Sequence, residues 1–140
     1  MGEQNFKKHV QYVPGFHVVT FTVILLSLVI AIVLMVNSGI STTTIFGLLV
    51  AVSLGLLFIY LRQFATGNQD RVIRAEENFR SYRLTGKILD SRLTRGQIIA
   101  LRFADDSEYG ALSDKAISQG LSSTDIKQSI QQWRADHHRV

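Results

Sequence analysis

Apolar and polar positions divide this chain into two regimes that meet at residue 61. Between positions 18 and 61 there is no Asp, Glu, Lys, Arg or His, and two apolar runs, 18–36 and 44–61, are joined by Asn37-Ser38-Gly39-Ile40-Ser41-Thr42-Thr43. Each run is close to the roughly 17–25 residues that cross about 30 Å of hydrocarbon as a helix. A chain of 140 residues has no soluble core large enough to bury two helices that are apolar on every side. The pattern therefore predicts two spans joined by a short outside turn of Ser, Thr, Asn and Gly, an antiparallel transmembrane helical hairpin.

Past residue 61 the period changes. Val72, Ala75, Phe79 and Tyr82 recur at three- and four-residue spacing, and Gly86, Leu89 and Leu93 keep the register, which predicts a heptad seam on a helix over about 69–82. Asp70 with Arg74 and Glu76 with Arg80 stand in the favourable i,i+4 order, and Thr85-Gly86 is a candidate break. Farther on, Thr94-Arg95-Gly96-Gln97 and Asp105-Asp106-Ser107-Glu108 each set an acceptor three residues before Gln or Glu, the reciprocal capping signal. Three short helices follow from these signals: about 95–103, about 106–118 stopped by Gly120, and one from about 123 capped by Ser122. In the last, Ile126, Ile130 and Trp133 form one stripe at i, i+4 and i+7. The expected tail core is Phe79, Ile98, Leu101, Phe103, Leu112, Ile126, Ile130 and Trp133, with Leu121 beside them.

The predicted fold class is thus all-α: a cytoplasmic lead (1–15), the hairpin (16–62), a juxtamembrane amphipathic helix (63–92) and a small cytosolic domain of three short helices (93–140). In the second span Gly47, Ala51 and Gly55 line one face, and Ser27 with Ala31 makes a weaker stripe on the first. Small faces let helix backbones approach closely, either within the hairpin or between copies.

Charge sets the orientation. The net charge is +4, and Lys7 and Lys8 precede the first span while Arg62, Arg71 and Arg74 follow the second. The link carries none, which predicts both termini on the cytoplasmic side. The first run is longer than a signal-peptide core and lacks a small-residue cleavage site, so it reads as a retained helix. Phe6, Tyr12 and Phe16 with Lys7, Lys8 and His9 read as a headgroup-level approach, and Pro14-Gly15 as a turn before the span.

Chemistry is sparse. The chain has no cysteine, which removes thiol nucleophiles, disulfides and Cys-ligated metals. His137 and His138 are adjacent and point about 100° apart on a helix, so they cannot chelate one ion together. Asp105, Asp106 and Glu108 read as an acidic helix start that favours the macrodipole. No nucleophile elbow, phosphate loop or nucleotide-binding glycine loop occurs. With no ionisable group within the spans, a proton relay or ion path has nothing to work with. The expectation is a protein that is no enzyme and holds no cofactor or metal.

Two resemblances bear on function. Leu93-Thr94 with Gln97-Ile98-Ile99-Ala100-Leu101, and Leu121-Ser122-Ser123-Thr124-Asp125-Ile126-Lys127, resemble the helix-turn-helix of luminescence-type bacterial response regulators, with 123–134 as recognition helix. The halves are spaced a few residues too far apart, and Asp125 and Asp136 dilute Lys127, Gln128, Gln131 and Arg134. The second covers nearly the whole chain: two spans, then Ala75-Glu76-Glu77-Asn78-Phe79-Arg80, Arg92-Leu93-Thr94, the run Gln97 to Ala104, Ile126-Lys127 and Trp133-Arg134-Ala135-Asp136. This resembles a bacterial family of small two-span membrane proteins of unknown function, which implies a cell-membrane address and no transferable activity. The leading expectation is a hairpin anchor displaying a tail that binds a protein partner or another copy. Arg71, Arg74, Arg80 and Arg102 are the candidate interaction residues, with Arg80, Arg92 and Arg102 read first as contacts between tail helices. A membrane-tethered DNA-binding regulator and recognition of anionic lipid by residues 62–87 are the alternatives.

Overall fold

A computed structural model of the chain describes residues 5–6 and 12–136. Lys7, Lys8 and His9 of the lead, and His137 and His138, lie outside the described residues. Among the described residues the elements are helical: a π-helical segment Gly15–Thr20, α1 (Phe21–Ser38), α2 (Thr42–Thr85), α3 (Arg95–Leu101), α4 (Asp106–Ser118) and α5 (Ser123–Ser129). An antiparallel bridge joins Ala104 and Trp133. Contacts divide the chain into two units, Tyr12–Thr66 and Met1–Gln11 with Gly67–Val140.

In the unit Tyr12–Thr66, Pro14 opens a helix where the sequence predicts a turn. Its fixed φ of −57° is helical, and its missing N–H falls where a helix start has no partner for one. The first turns are wide, and the Thr20 hydroxyl donates back to the Gly15 carbonyl at 3.0 Å. α1 ends at Gly39, whose φ of 77° suits a residue without Cβ. Ser41 and Thr44 then cap α2 reciprocally: each backbone N–H donates to the other's hydroxyl, at 2.9 and 3.2 Å. Ala31 and Ala51 are buried, a Cβ on Gly55 would meet the Ile24 side chain at 4.0 Å, and Phe16 stacks on Phe58 at 4.4 Å. Gly47 and Ser27, the other members of the small stripes, are half-buried. The helices Gly15–Ser38 and Thr42–Thr85 are long and apolar enough to cross a membrane, and only 6% of each one's most apolar window is buried within the protein.

α2 runs for 44 residues without a break; the sequence leaves open whether residues 63–68 fray or continue the helix, and they continue it. Thr66-Gly67-Asn68 stays helical, and the Thr66 hydroxyl returns a hydrogen bond to the Arg62 carbonyl at 2.9 Å, which removes its pull on the backbone. The helix stops where Thr85-Gly86 predicts: Gly86 has φ of 71° and its N–H reaches the Tyr82 carbonyl at 2.8 Å. The heptad register therefore ends at Tyr82. Leu89 and Leu93 leave the helix, Leu93 entering the core and Leu89 packing on it.

In the unit containing Gly67–Val140, α3 carries the full Thr94–Gln97 capping box. α4 is capped by Asp105, which accepts from the Ser107 N–H at 3.0 Å. Its expected partner Glu108 does not turn back. That carboxylate accepts the N–H groups of Gln131 and Gln132 instead, both at 3.1 Å, and so ties α4 to the chain after α5. α5 carries a second capping box, Ser122–Asp125. It ends at Ser129, with Ile130 extended, so the predicted helix 123–134 is only seven residues long. The cause is a competing set of partners: Asp105 N–H donates to Gln132 O at 3.0 Å and Arg134 N–H to Phe103 O at 2.8 Å, an arrangement no helix through Trp133 permits.

Burial nevertheless follows most of the predicted core. Ile98, Leu101, Phe103, Leu112, Ile126 and Ile130 join Leu93, Ala100, Ala104, Tyr109 and Ala116 in one cluster, with Trp133 and Leu121 packed against it. Phe79 does not. It is 70% exposed, because α2 turns its other face toward this cluster. Replacing Ile126 by Ala should remove about 2–5 kcal/mol of stability, the usual cost of a large-to-small change at a fully buried site. Trp133, the one tryptophan, sits 5.2 Å from the Phe103 ring and reports unfolding of the full chain in detergent. A loss well under 1 kcal/mol would contradict the packing.

Candidate functional site

The site grows from the two faces of α2 beyond Gly67. Ile73, Glu77 and Arg80 repeat at i, i+4 and i+7 and share a face, as do Val72, Phe79 and Tyr82 on another. Amphipathic reasoning buries the second set. The protein buries the first: Ile73, Glu77, Arg80 and Ser81 are all buried, with Glu77 and Arg80 each only 4% exposed. Val72, Phe79 and Tyr82 are 55%, 70% and 59% exposed.

A buried guanidinium is tolerated only if its donors are met by acceptors of good geometry. Arg80 meets that condition. Its Nε donates to Asp106 Oδ1 at 2.7 Å, Nη2 to the Ala104 carbonyl at 2.6 Å, and Nη1 to Glu77 Oε2 at 3.3 Å. Its charge also lies 4.5 Å from the centroid of the buried Tyr109 ring, a cation–π contact. One side chain thus clasps α2 to the loop after α3 and to the first turn of α4. Arg83 adds a second donor to Asp106 at 2.7 Å from the exposed side. The expected Glu76–Arg80 pair does not form, because Arg80 finds a carbonyl and two carboxylates on the inner face. Asp70 likewise reaches Arg95, at 3.6 Å, and not Arg74.

Charge states follow from these partners. Burial pushes the Glu77 carboxyl above its usual range, against the pull of Arg80 and, more weakly, of Arg134. Asp106 moves the other way, held low chiefly by its hydrogen bond from Arg80. Burial raises the Tyr109 hydroxyl far above the ordinary tyrosine value, which keeps it a neutral donor toward the Glu77 carbonyl at 3.4 Å. At the loop 90–92, the Arg92 guanidinium grips Asp90 and lowers its carboxyl to about 2.

Beside this clasp lies a cleft of about 600 Å³, bounded by Val72, Glu76, Phe79 and Arg83 from α2 and by Arg102, Arg134 and Asp136 from the tail. Its arginines face Glu76, Glu77 and Asp136, so the charges are mixed. Arg102 stands 3.2 Å from Asp136 and over the Phe103 ring at 4.6 Å. Of the four candidate interaction residues, Arg71 and Arg74 are exposed while Arg80 and Arg102 serve contacts inside the tail. Among the described residues no group of three His, Asp or Glu side chains is placed to hold a metal ion.

Sequence reading missed Glu77 and Tyr109, took Asp106 only as part of an acidic helix start, and took Arg134 only as part of a recognition helix. The one available signal was Ile73, an apolar residue in phase with Glu77 and Arg80. It also missed Gln97 as a buried donor, whose Nε2 reaches the Leu121 carbonyl at 2.8 Å while its Oε1 caps α3.

The sign of the Asp106 shift fixes a pH dependence. Because the folded carboxyl binds its proton more weakly than the unfolded one, its contribution is complete above the ordinary value of 3.8 and fades as pH falls through the lower folded value. Asp106→Asn should therefore destabilise the full chain at neutral pH, with the gap to the parent closing below pH 3.8. A gap that stays constant down to pH 2 would show that the charge on Asp106 does not matter.

A family described as of unknown function, DUF6526, matches residues 1–140. No curated protein matches. No solved structure matches either.

Proposed function

Since this chain belongs to the DUF6526 family, whose description assigns no activity, we propose a function from its own residues: a non-catalytic membrane anchor that displays a helical interaction domain. α1 and the first part of α2 form a transmembrane hairpin in a bacterial cell membrane, with both termini cytoplasmic. The remainder of α2 with α3, α4 and α5 is the cytosolic domain, and it binds a protein partner or another copy.

The observation that carries this reading is the exposed apolar face of α2. Val72, Phe79 and Tyr82 stay exposed on one face of α2, and exposed apolar surface of that kind marks an interaction site. The low burial of both apolar helices supports the membrane part, since apolar side chains on all sides of a helix need a solvent as apolar as themselves. The uncharged link between basic flanks supports the orientation. Asp105 and Asp125 are taken up by caps and Glu77 and Asp106 by Arg80, which supports a structural role for these carboxylates.

The test uses a chain that has no cysteine of its own. Ser41→Cys should react with an impermeant thiol reagent from outside intact cells, whereas Asn5→Cys and Gln131→Cys should react only after permeabilisation. The reverse pattern would overturn the topology. Gentle detergent extraction of the full chain should yield an oligomer or a complex with another protein, and a strictly monomeric, partner-free species would overturn the interaction role.

A further inference from the structure

Resting on the membrane reading above and deepening its interaction role, we propose that the exposed face of α2 is covered by the same face of a second copy, in a parallel two-helix seam. Val72, Ala75, Phe79 and Tyr82 are separated by three, four and three residues and are all exposed. That spacing gives them positions a, d, a and d of a heptad. The buried residues Ile73, Glu77, Arg80 and Ser81 then take b, f, b and c, all away from the seam. The tail's own packing therefore centres on the back of the helix; Val72, Glu76 and Phe79 also border the cleft toward Arg102, Arg134 and Asp136, yet stay exposed.

Charge complementarity selects a second copy as the occupant. In this register Arg71 stands at g and Glu76 at the following e. In a parallel pair a g side chain faces the next e of its neighbour, so Arg71 meets Glu76 of the partner subunit, and two-fold symmetry makes the match twice. Both side chains are exposed, and among the described residues neither has an ion-pair partner.

Anchoring supplies what a short seam lacks. Two heptads are marginal between free helices in water, but copies held in one bilayer meet at a high effective concentration. Copies threaded in the same sense present α2 in the same direction. Each Val72 also follows its own Leu61 by the same run of residues, so the register is matched before contact.

The experiment is disulfide trapping of the full chain in its native membrane. Ala75→Cys, at a d position, should form a disulfide-linked dimer on mild oxidation. Arg74→Cys, exposed one position round the helix, should do so at least about tenfold more slowly, because its Cβ points away from the two-fold axis. In the Ala75→Cys background, Arg71→Glu and Glu76→Arg should each lower the dimer yield, and the two together should restore it. Absent or equal trapping at the two positions, as a bilayer or an unrelated protein on this face would give, overturns the proposal. So do charge reversals without effect. Thiol labelling at Ser41→Cys in parallel samples reports the membrane topology separately, so failure of the seam and failure of the anchor are distinguishable.

Discussion

One buried guanidinium decides how this chain presents itself. Arg80 is taken out of water on the inner face of α2, a step that costs several kcal/mol unless each donor is met. It is met by the Ala104 carbonyl, by Asp106 and by Glu77, with Tyr109 beneath it. Glu77 lies on α2 itself, but the other partners belong to the loop after α3 and to α4, so satisfying Arg80 also fixes which face of α2 the tail packs against. The apolar residues Val72, Phe79 and Tyr82 are then left on the open side. An interaction that stabilises the tail is thereby also the one that exposes its apolar seam.

The rest of the tail is built from complementary ends. Thr94 and Ser122 close capping boxes that satisfy free N–H groups at the starts of α3 and α5. Glu108 satisfies two more in the segment after α5, and Gln97 bridges the start of α3 to the Leu121 carbonyl ahead of α5. Helices of seven residues such as α3 and α5 are not stable by propensity. They hold because their ends are satisfied and because Ile98, Leu101 and Ile126 pack into one core.

Much of this was legible in the sequence, and the parts that were not share a cause. The apolar runs, Gly39 and Gly86 as helix ends, the Thr94 and Ser122 caps and the large aliphatic core residues Ile98, Leu101, Leu112, Ile126 and Ile130 with Phe103 follow from local periodicity and turn chemistry, whereas Tyr109 and the buried Ala100, Ala104 and Ala116 do not. Pro14 was misread because proline marks both turns and helix starts. α5 was predicted too long because Ile126, Ile130 and Trp133 keep a helical period whether or not the chain is helical. Only the pairing of Phe103 and Asp105 with Arg134 and Gln132, about 30 residues away in sequence, ends the helix there. Phe79 was placed in the core because apolar periodicity is a good guide to burial until a charged residue finds better partners inside. Arg80 and Asp106 are 26 residues apart, and nothing local announces that they meet. The site shares that fate: its apolar members were visible as a pattern, and its direction was not.

The central claim is that α2 turns Glu77 and Arg80 inward and Val72, Phe79 and Tyr82 outward. Hydroxyl-radical footprinting of the full chain, diluted to one copy per detergent micelle, reads both faces at once. Phe79 and Tyr82 should be heavily oxidised while Phe103 and Tyr109 are spared. Protection of Phe79 together with modification of Tyr109 would place the apolar face inside and contradict the account.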